Sequence, residues 1–371
     1  MTELFPLRVV TGKRFCNREK EKRFLRSCIE QKRPVVLISP RRYGKTSLAN
    51  KVVEELRYPF CSIDFLTAYD DYSICLNIIK GVSELVSQIM PINMKTIKLI
   101  EKCFHGVKAV MRYKVIELEY AAPIEKADPT LQVLETLKGL ENLAAKLRKT
   151  VVILIDEFQN VLETPKGQAI QGSIRHVAQT AKHIAFMFSG SSRHMLCQAF
   201  DDSNLPLYMM CEKLHLDRID SQHYFSYIQD AAKIKWKKML PEMIIQRILD
   251  LTENHSFYVN YLCGRLWEIE NPPGTEEEVD RVWHECFLNE ERRFIVELDR
   301  LTLNQRLLLK AIANTSDLKE PTAVGFLSKV GLASGTAVPV LKALTNKDMI
   351  FVDGQGMTRV LDPLLRYMLV S

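Results

Sequence analysis

The sequence predicts an α/β fold. It reads as a parallel sheet covered by helices on both faces, then an all-helical stretch, then a C-terminal winged helix. Three observations predict it. Strand-sized apolar runs alternate with helical patterns up to about Asp220, the signature of a parallel sheet. The first run leads into a loop closed by Gly44-Lys45-Thr46. A later one, Val151 to Ile155, ends in the adjacent carboxylates Asp156 and Glu157.

The strands come first. Val35 to Ile38 is short and wholly apolar, as a strand buried on both faces must be. Cys61 to Phe65, the β-branched run Val151 to Ile155, Ile184 to Phe188 and the short Leu214 to Leu216 supply four more. Thr46 to Leu56 has helical spacing. The stretch from Tyr72 to Lys149 is long for one crossover. It starts and ends as helix (Cys75 to Ile89, Leu131 to Leu147), and Ala109 to Tyr120 reads as a strand or hairpin insertion.

From Ser221 onward the strands stop. Tyr224 to Lys233, Pro241 to Thr252 and Phe257 to Glu268 carry helical periodicity, and Glu276-Glu277-Glu278 after a Pro-Pro-Gly turn reads as the acidic first turn of another helix. The last segment orders three helices, Leu303 to Ala313, Thr322 to Lys329 and Ser334 to Thr345, before two short strands. Pro339 is tolerable there if it falls in the first turn of its helix. The strands Ile350 to Asp353 and Met357 to Val360 flank Gly354-Gln355-Gly356 as a hairpin. That order is a winged helix-turn-helix. The predicted domains are therefore 1–220, 221–299 and 300–371.

The chemistry concentrates after the first strand. Ser39-Pro40-Arg41-Arg42-Tyr43-Gly44-Lys45-Thr46-Ser47 fits G-x-x-x-x-G-K-[ST] with Ser39 in place of the first glycine. Loop and helix N–H groups converge on phosphate oxygens there. Gly44 permits the turn, Lys45 bridges the β- and γ-phosphates, and the Thr46 hydroxyl ligates Mg²⁺. Asp156 at the strand tip is placed to hold the Mg²⁺ hydration shell, and Glu157 to polarise a water for attack on the γ-phosphate. Beyond the fourth strand, Ser191 or Ser192 can sense the γ-phosphate and Arg193 can add positive charge. The substrate this implies is a nucleoside triphosphate with Mg²⁺, and the two carboxylates favour its hydrolysis.

These residues resemble the archaeal-type ATPases, on the AAA+ and STAND side of the P-loop NTPases. The resemblance rests on Ile38 to Leu48, on Asp156-Glu157-Phe158-Gln159, on Gly190-Ser191-Ser192-Arg193 and on an opening motif of Phe15, Asn17, Arg18 and Glu19. Asn254-His255-Ser256-Phe257-Tyr258 is similar to the family's lid segment G-[HN]-P-[FY]-Y, and the terminal winged helix ending in Leu361-Asp362-Pro363 is similar too. The resemblance implies a P-loop core, a helical lid and a winged helix, with ATP between core and lid and His255 approaching the nucleotide. Asn254 and Ser256 depart from the lid pattern, and Met209 stands where relatives have a basic residue after the tyrosine of Leu207-Tyr208-Met209-Met210.

Composition narrows the rest. With 371 residues, 47% hydrophobic and 26% charged, the chain is an ordinary globular one, not a disordered or collagen-like one. Its 51 Lys+Arg against 45 Asp+Glu, net +6, permit a polyanion partner without requiring one. Nine cysteines without a CxxC pair indicate a reducing, cytoplasmic setting and no zinc site. The N-terminus lacks a secretion-signal pattern, and no apolar run spans a membrane. Arg175 and Gln179 are candidates to face a second subunit, and Lys233 to Lys238, around Trp236, is a candidate polyanion patch. Direct base readout needs Arg, Asn or Gln side chains on the recognition helix, and Ala337 to Lys347 offers only Lys342, Asn346 and Lys347. DNA is thus not favoured. The reading is a Mg²⁺-dependent ATPase acting as a nucleotide-controlled switch, slow without an unknown protein partner, its oligomeric state unassigned. The alternatives are a DNA-associated AAA+ ATPase and a nucleotide-binding adaptor with negligible hydrolysis.

Overall fold

The computed structural model describes residues 4–8, 15–91, 94–104, 107–112, 115–120 and 128–370. The turn of the expected hairpin (113–114), most of the first fourteen residues and the terminal residue lie outside the described residues. Two compact units emerge. One comprises Arg18–Arg41 and Lys45–Leu216, the other the residues up to Asn17, Arg42–Gly44 and Asp217–Ser371.

The first unit begins with α1 (Glu19–Gln31), β1 (Val35–Ile38), α2 (Lys45–Leu56), β2 (Phe60–Asp64) and α3 (Asp71–Ile89). Asp70 opens α3 through a capping box with Ser73, so two orphan backbone groups are satisfied reciprocally. Then come α4 (Met94–Cys103), which the sequence reading did not anticipate, and the hairpin β3 (Val107–Arg112) and β4 (Val115–Tyr120). The hairpin pairs antiparallel. Two serines of α3 pin it: Ile116 N–H donates to Ser87 Oγ at 3.0 Å and Leu118 N–H to Ser83 Oγ at 3.3 Å. Next is α5 (Pro129–Leu147), with Asp128 as N-cap and Pro129 in the first turn, where a missing N–H costs nothing. The unit closes with β5 (Val151–Asp156), α6 (Gly167–Thr180), β6 (Ile184–Gly190), α7 (Arg193–Asp201) and β7 (Glu212–His215).

Its five-stranded sheet runs β2-β5-β6-β1-β7, and every pairing is parallel. β1 and β6 are buried along their whole length and β5 along all but Asp156, which explains why they read as continuous apolar runs. The main core cluster joins one face of the sheet, through Val36, Ile38, Ile153, Ile155, Phe186 and Phe188, to the apolar sides of α3, α5 and α6.

The second unit contains α8 (Ser221–Trp236), α9 (Glu242–Thr252), α10 (Ser256–Leu266) and α11 (Glu276–Asp299). Three glutamates fill the first turn of α11 behind the N-cap Thr275, complementing the helix dipole. The winged helix follows: α12 (Leu303–Ala313), α13 (Val324–Val330), α14 (Ser334–Asn346), β8 (Ile350–Val352), β9 (Thr358–Val360) and a terminal helix α15 (Pro363–Val370). Pro339 falls inside α14, beyond the first turn where proline is tolerated. The clash it brings is with the carbonyl four residues earlier, at exposed Gly335, in a helix end that water can reach. Trp236 also departs from its expected place on a surface patch. It packs against Trp267 at 4.5 Å between ring centroids, leaving the lysines and the exposed Ile234 at that helix end.

All nine cysteines are free thiols. Among the described residues no single helix is long and apolar enough to cross a membrane; α13 and α14, bent by 84°, reach that length only as a pair.

Candidate active site

The C-terminal ends of β1, β5 and β6 lie side by side, the position where open α/β sheets bind ligands. The loop after β1 carries the Ser39–Ser47 motif. Its sharp turn needs left-handed backbone at Arg42 (φ 65°) and Gly44 (φ 86°). At Gly44 a side chain would meet nothing within 4 Å, so the glycine is required by its dihedral and not by space. Lys45 is buried and its Nζ donates to the carbonyls of Ser39 (2.9 Å) and Pro40 (3.0 Å). Ser39, the replacement for the first glycine, turns its hydroxyl to the Pro40 carbonyl at 3.1 Å, and this oxygen also lies 3.4 Å from Lys45 Nζ. Arg41 is exposed, and Ser47 is buried in the first turn of α2.

Thr46 and Asp156 are brought together: Thr46 Oγ1 donates to Asp156 Oδ2 at 3.0 Å. The other oxygen, Oδ1, accepts from Ser189 Oγ at 2.5 Å and from the Glu157 N–H at 3.0 Å. Hydroxyl and carboxylate are hard oxygen donors. One of each, completed by phosphate oxygens and water, is the usual protein share of a Mg²⁺ site, so the residues present fit that ion. Among the described residues no cluster of three or more His, Cys, Asp or Glu is arranged as a metal cage.

Glu157 sits in left-handed backbone (φ 50°) just past the end of β5. One carboxylate oxygen, Oε2, accepts from Gln159 Nε2 (2.6 Å), Ser191 Oγ (2.7 Å) and Ser191 N–H (3.1 Å). Burial pushes this carboxyl up, but those bonds and the charge of Lys45 outweigh it and hold it below the usual glutamate range. A Cβ on Gly190 would stand 2.0 Å from Gln159 Oε1, so only glycine lets that side chain pass. The structure thus gathers Lys45, Thr46, Asp156, Glu157 and Ser191. Arg193 opens α7, half-exposed. Gln159 and Ser189 are members that the sequence reading gave no individual role. A serine breaking an otherwise apolar strand was the available signal for Ser189.

Other candidates are placed elsewhere. Arg175 donates to the Pro206 carbonyl of its own unit, while Gln179 is exposed. Met209 is exposed in left-handed backbone. Arg18, buried, precedes α1 and pairs with Glu21 at 3.0 Å.

Within the second unit, Arg42 lies over the Phe257 ring at 4.1 Å, and Tyr43 meets His255 edge-on at 4.8 Å. His255 is the N-cap of α10, its Nδ1 accepting from the Phe257 N–H at 3.3 Å. The lid departures now have a physical reading. Asn254 occupies left-handed backbone (φ 58°), where glycine is favoured and asparagine is the next best choice. Ser256 takes the first helical position, where proline is merely one good option.

Burial, with the charges of Arg218 and Arg42 beside it, pushes the His255 imidazole well below its ordinary value near 6.5. It is therefore neutral when folded and protonated below about pH 6.5 when unfolded. A lowered folded pKa contributes stability that is complete above that pH and lost as pH falls. Wild-type melting temperature should drop between pH 7 and 5 more than that of His255→Asn, which keeps a capping acceptor. Parallel pH profiles of the two proteins would refute the assignment.

In the winged helix, Asp353 folds the wing on itself, accepting from Arg359 Nε (2.7 Å) and from the N–H groups of Gln355 and Met357 (both 2.9 Å). The exposed face of α14 presents Lys342 and Asn346, and Lys347 donates to the Arg300 carbonyl at 3.2 Å.

The comparisons agree with this geometry. Residues 15–244 match the family model described as an ATPase domain predominantly from Archaea, and residues 293–371 match one described as a probable winged helix domain. No curated protein matches the sequence. Among solved structures, a Walker-type ATPase of Pyrococcus abyssi is similar over 99% of both chains at 17% identity, with a TM-score of 0.73. The ORC2 protein of Aeropyrum pernix, solved as ADPNP–ADP complexes, is similar over 100% of this chain and 96% of its own at 14% identity, with a TM-score of 0.64. At these identities the two establish the shared fold.

Proposed function

The chain belongs to the family of ATPase domains found predominantly in Archaea, and from that premise we propose that it is a Mg²⁺-dependent, ATP-hydrolysing switch. The observation that carries the reading is the cluster at the ends of β1, β5 and β6, where Lys45, the Thr46–Asp156 pair and Glu157 converge. Loop N–H groups and Lys45 bind the phosphates. Thr46 and Asp156 would hold Mg²⁺, which would supply charge neutralisation on the phosphate oxygens. Glu157 takes a proton from the attacking water as its oxygen bonds to the γ-phosphorus and the bond to ADP breaks. Ser191 and Gln159 aim the carboxylate.

Slow turnover without a partner is supported by two features. Three donors on Glu157 Oε2 weaken it as a base, and Met209 offers no cation. The helices of 221–299 serve as the lid and 300–371 as the winged helix that reads out the nucleotide state. A wing turned by Asp353 and a helix face with few cations favour protein packing over duplex DNA. Nine free cysteines support a reducing cytoplasmic setting.

Lys45→Ala tests the site. Losing a charge-assisted contact worth about 1.5–3 kcal/mol should weaken ATP binding by roughly 10–100-fold. Titration with a fluorescent ATP analogue measures it, and unchanged affinity sinks the assignment.

A further inference from the structure

Arg218 has no part in the chemistry just described, yet all three nitrogens of its guanidinium are engaged. It is 15% exposed. Nε donates to the Tyr43 hydroxyl at 3.3 Å, Nη1 to the Glu253 carbonyl at 3.0 Å and to the Glu253 carboxylate, and Nη2 to the Leu361 carbonyl at 2.9 Å. Its plane lies over the Phe351 ring of β8 at 4.8 Å. The other oxygen of Glu253 accepts from Arg366 of α15 at 2.9 Å. Four acceptors from three separate stretches of chain thus meet on one fork. One is the tip of the phosphate loop, one the turn before His255, and one the end of the wing.

A second path runs parallel to it. Tyr43 packs against His255, His255 against Tyr258 at 5.0 Å, and the Tyr258 hydroxyl donates to Asp362 Oδ2 at 2.6 Å. Arg293 reaches the same carboxylate at 3.2 Å. Both paths start at Tyr43, one residue before Gly44, and both end on Leu361-Asp362 at the root of α15. Bulk packing needs none of this. An apolar side chain at 218 would fill the volume without four directed bonds and the desolvation cost of a buried charge.

We propose that Arg218 is a positioning residue that sets the Tyr43–Gly44 bend of the phosphate loop against the winged helix, making nucleotide affinity depend on the seat of Leu361-Asp362. The proposal rests on the nucleotide-site reading above. A ligand shifts an equilibrium only through differential contact with two states. Tyr43 supplies that contact, since its backbone belongs to the phosphate loop and its side chain to the winged-helix network.

Lysine cannot reproduce the fork, having a point charge in place of planar donors. The test is a double-mutant cycle of Tyr43→Phe and Arg218→Lys, with ADP and ATP affinities read on the full chain. Each single variant should weaken binding by roughly fivefold, the loss of one net hydrogen bond. The double variant should be no weaker than the worse single one, because both remove the same link. Protease cleavage of the winged helix, slowed by saturating ADP in the wild type, should become indifferent to ADP in both single variants. A merely structural Arg218 would lower melting temperature and leave that ADP effect in place. Multiplying affinity losses, or an ADP effect retained in Arg218→Lys, overturn the coupling alone, provided Lys45→Ala weakens binding as expected. Unchanged affinity in Lys45→Ala overturns both readings.

Discussion

Glu157→Gln should slow phosphate release from ATP by about 10²–10⁴-fold, the range for loss of a general base, while ATP affinity stays within a few-fold. The amide oxygen can take the place of Oε2 and still accept from Ser191 and Gln159, so the backbone and the neighbouring Asp156 are left in place. Only the capacity to take a proton is removed. Single-turnover phosphate release and equilibrium binding separate the two effects. An unchanged rate would show that Glu157 is not the base and would favour the adaptor without useful hydrolysis. The pH profile adds a second check. Because hydrogen bonds and the charge of Lys45 hold the carboxyl below its ordinary range, it stays ionised further into acid than a free glutamate. Gln159→Ala removes one donor, so the carboxyl pKa should rise and the acid limb of the rate profile move to higher pH. A limb that does not move would mean that Gln159 acts through packing alone.

That pair of variants also marks how far the sequence could be read. The sheet was legible because burial on both faces leaves only one kind of residue, and Val35–Ile38 and Val151–Asp156 declare themselves by it. Lys45, Thr46, Asp156 and Glu157 were legible because spacing within a strand–loop–helix unit determines where each side chain points. Gln159 stands in the tetrad, but its role is not legible there, since its contact with Glu157 depends on the left-handed turn at Glu157 and on Gly190 from another strand. Arg218 was invisible for the same reason. Its partners Tyr43, Glu253 and Leu361 are up to 175 residues away in sequence, and no periodicity links them. Helix α4 was missed because it lies inside an insertion whose length fits several arrangements. Pro339 shows the opposite limit, a local rule overridden at a solvent-facing helix end.

Phe158→Ala should destabilise the first unit by about 3–5 kcal/mol, the usual cost of emptying a buried phenylalanine site. Phe158 is fully buried and immediately follows Glu157. Its ring meets Phe188 edge-on at 4.9 Å, Phe200 at 5.7 Å and Phe65 in a stacked arrangement at 6.3 Å. Those partners come from β6, α7 and the residue just after β2, so one side chain ties together the segments around the two carboxylates. Alanine leaves a cavity that three rings held by the sheet cannot fill, whereas leucine retains much of the volume and should cost less. Hydrogen exchange at the β5 and β6 amides measures the loss directly. Protection there should fall by roughly two to four orders of magnitude in Phe158→Ala, about one decade per 1.4 kcal/mol. Since the same ring anchors the turn that presents Glu157, Phe158→Leu should remain folded yet lose kcat more than ATP affinity. Full protection in Phe158→Ala would show that the turn is held by its hydrogen bonds to Ser191 and Gln159, with the ring cluster only filling space.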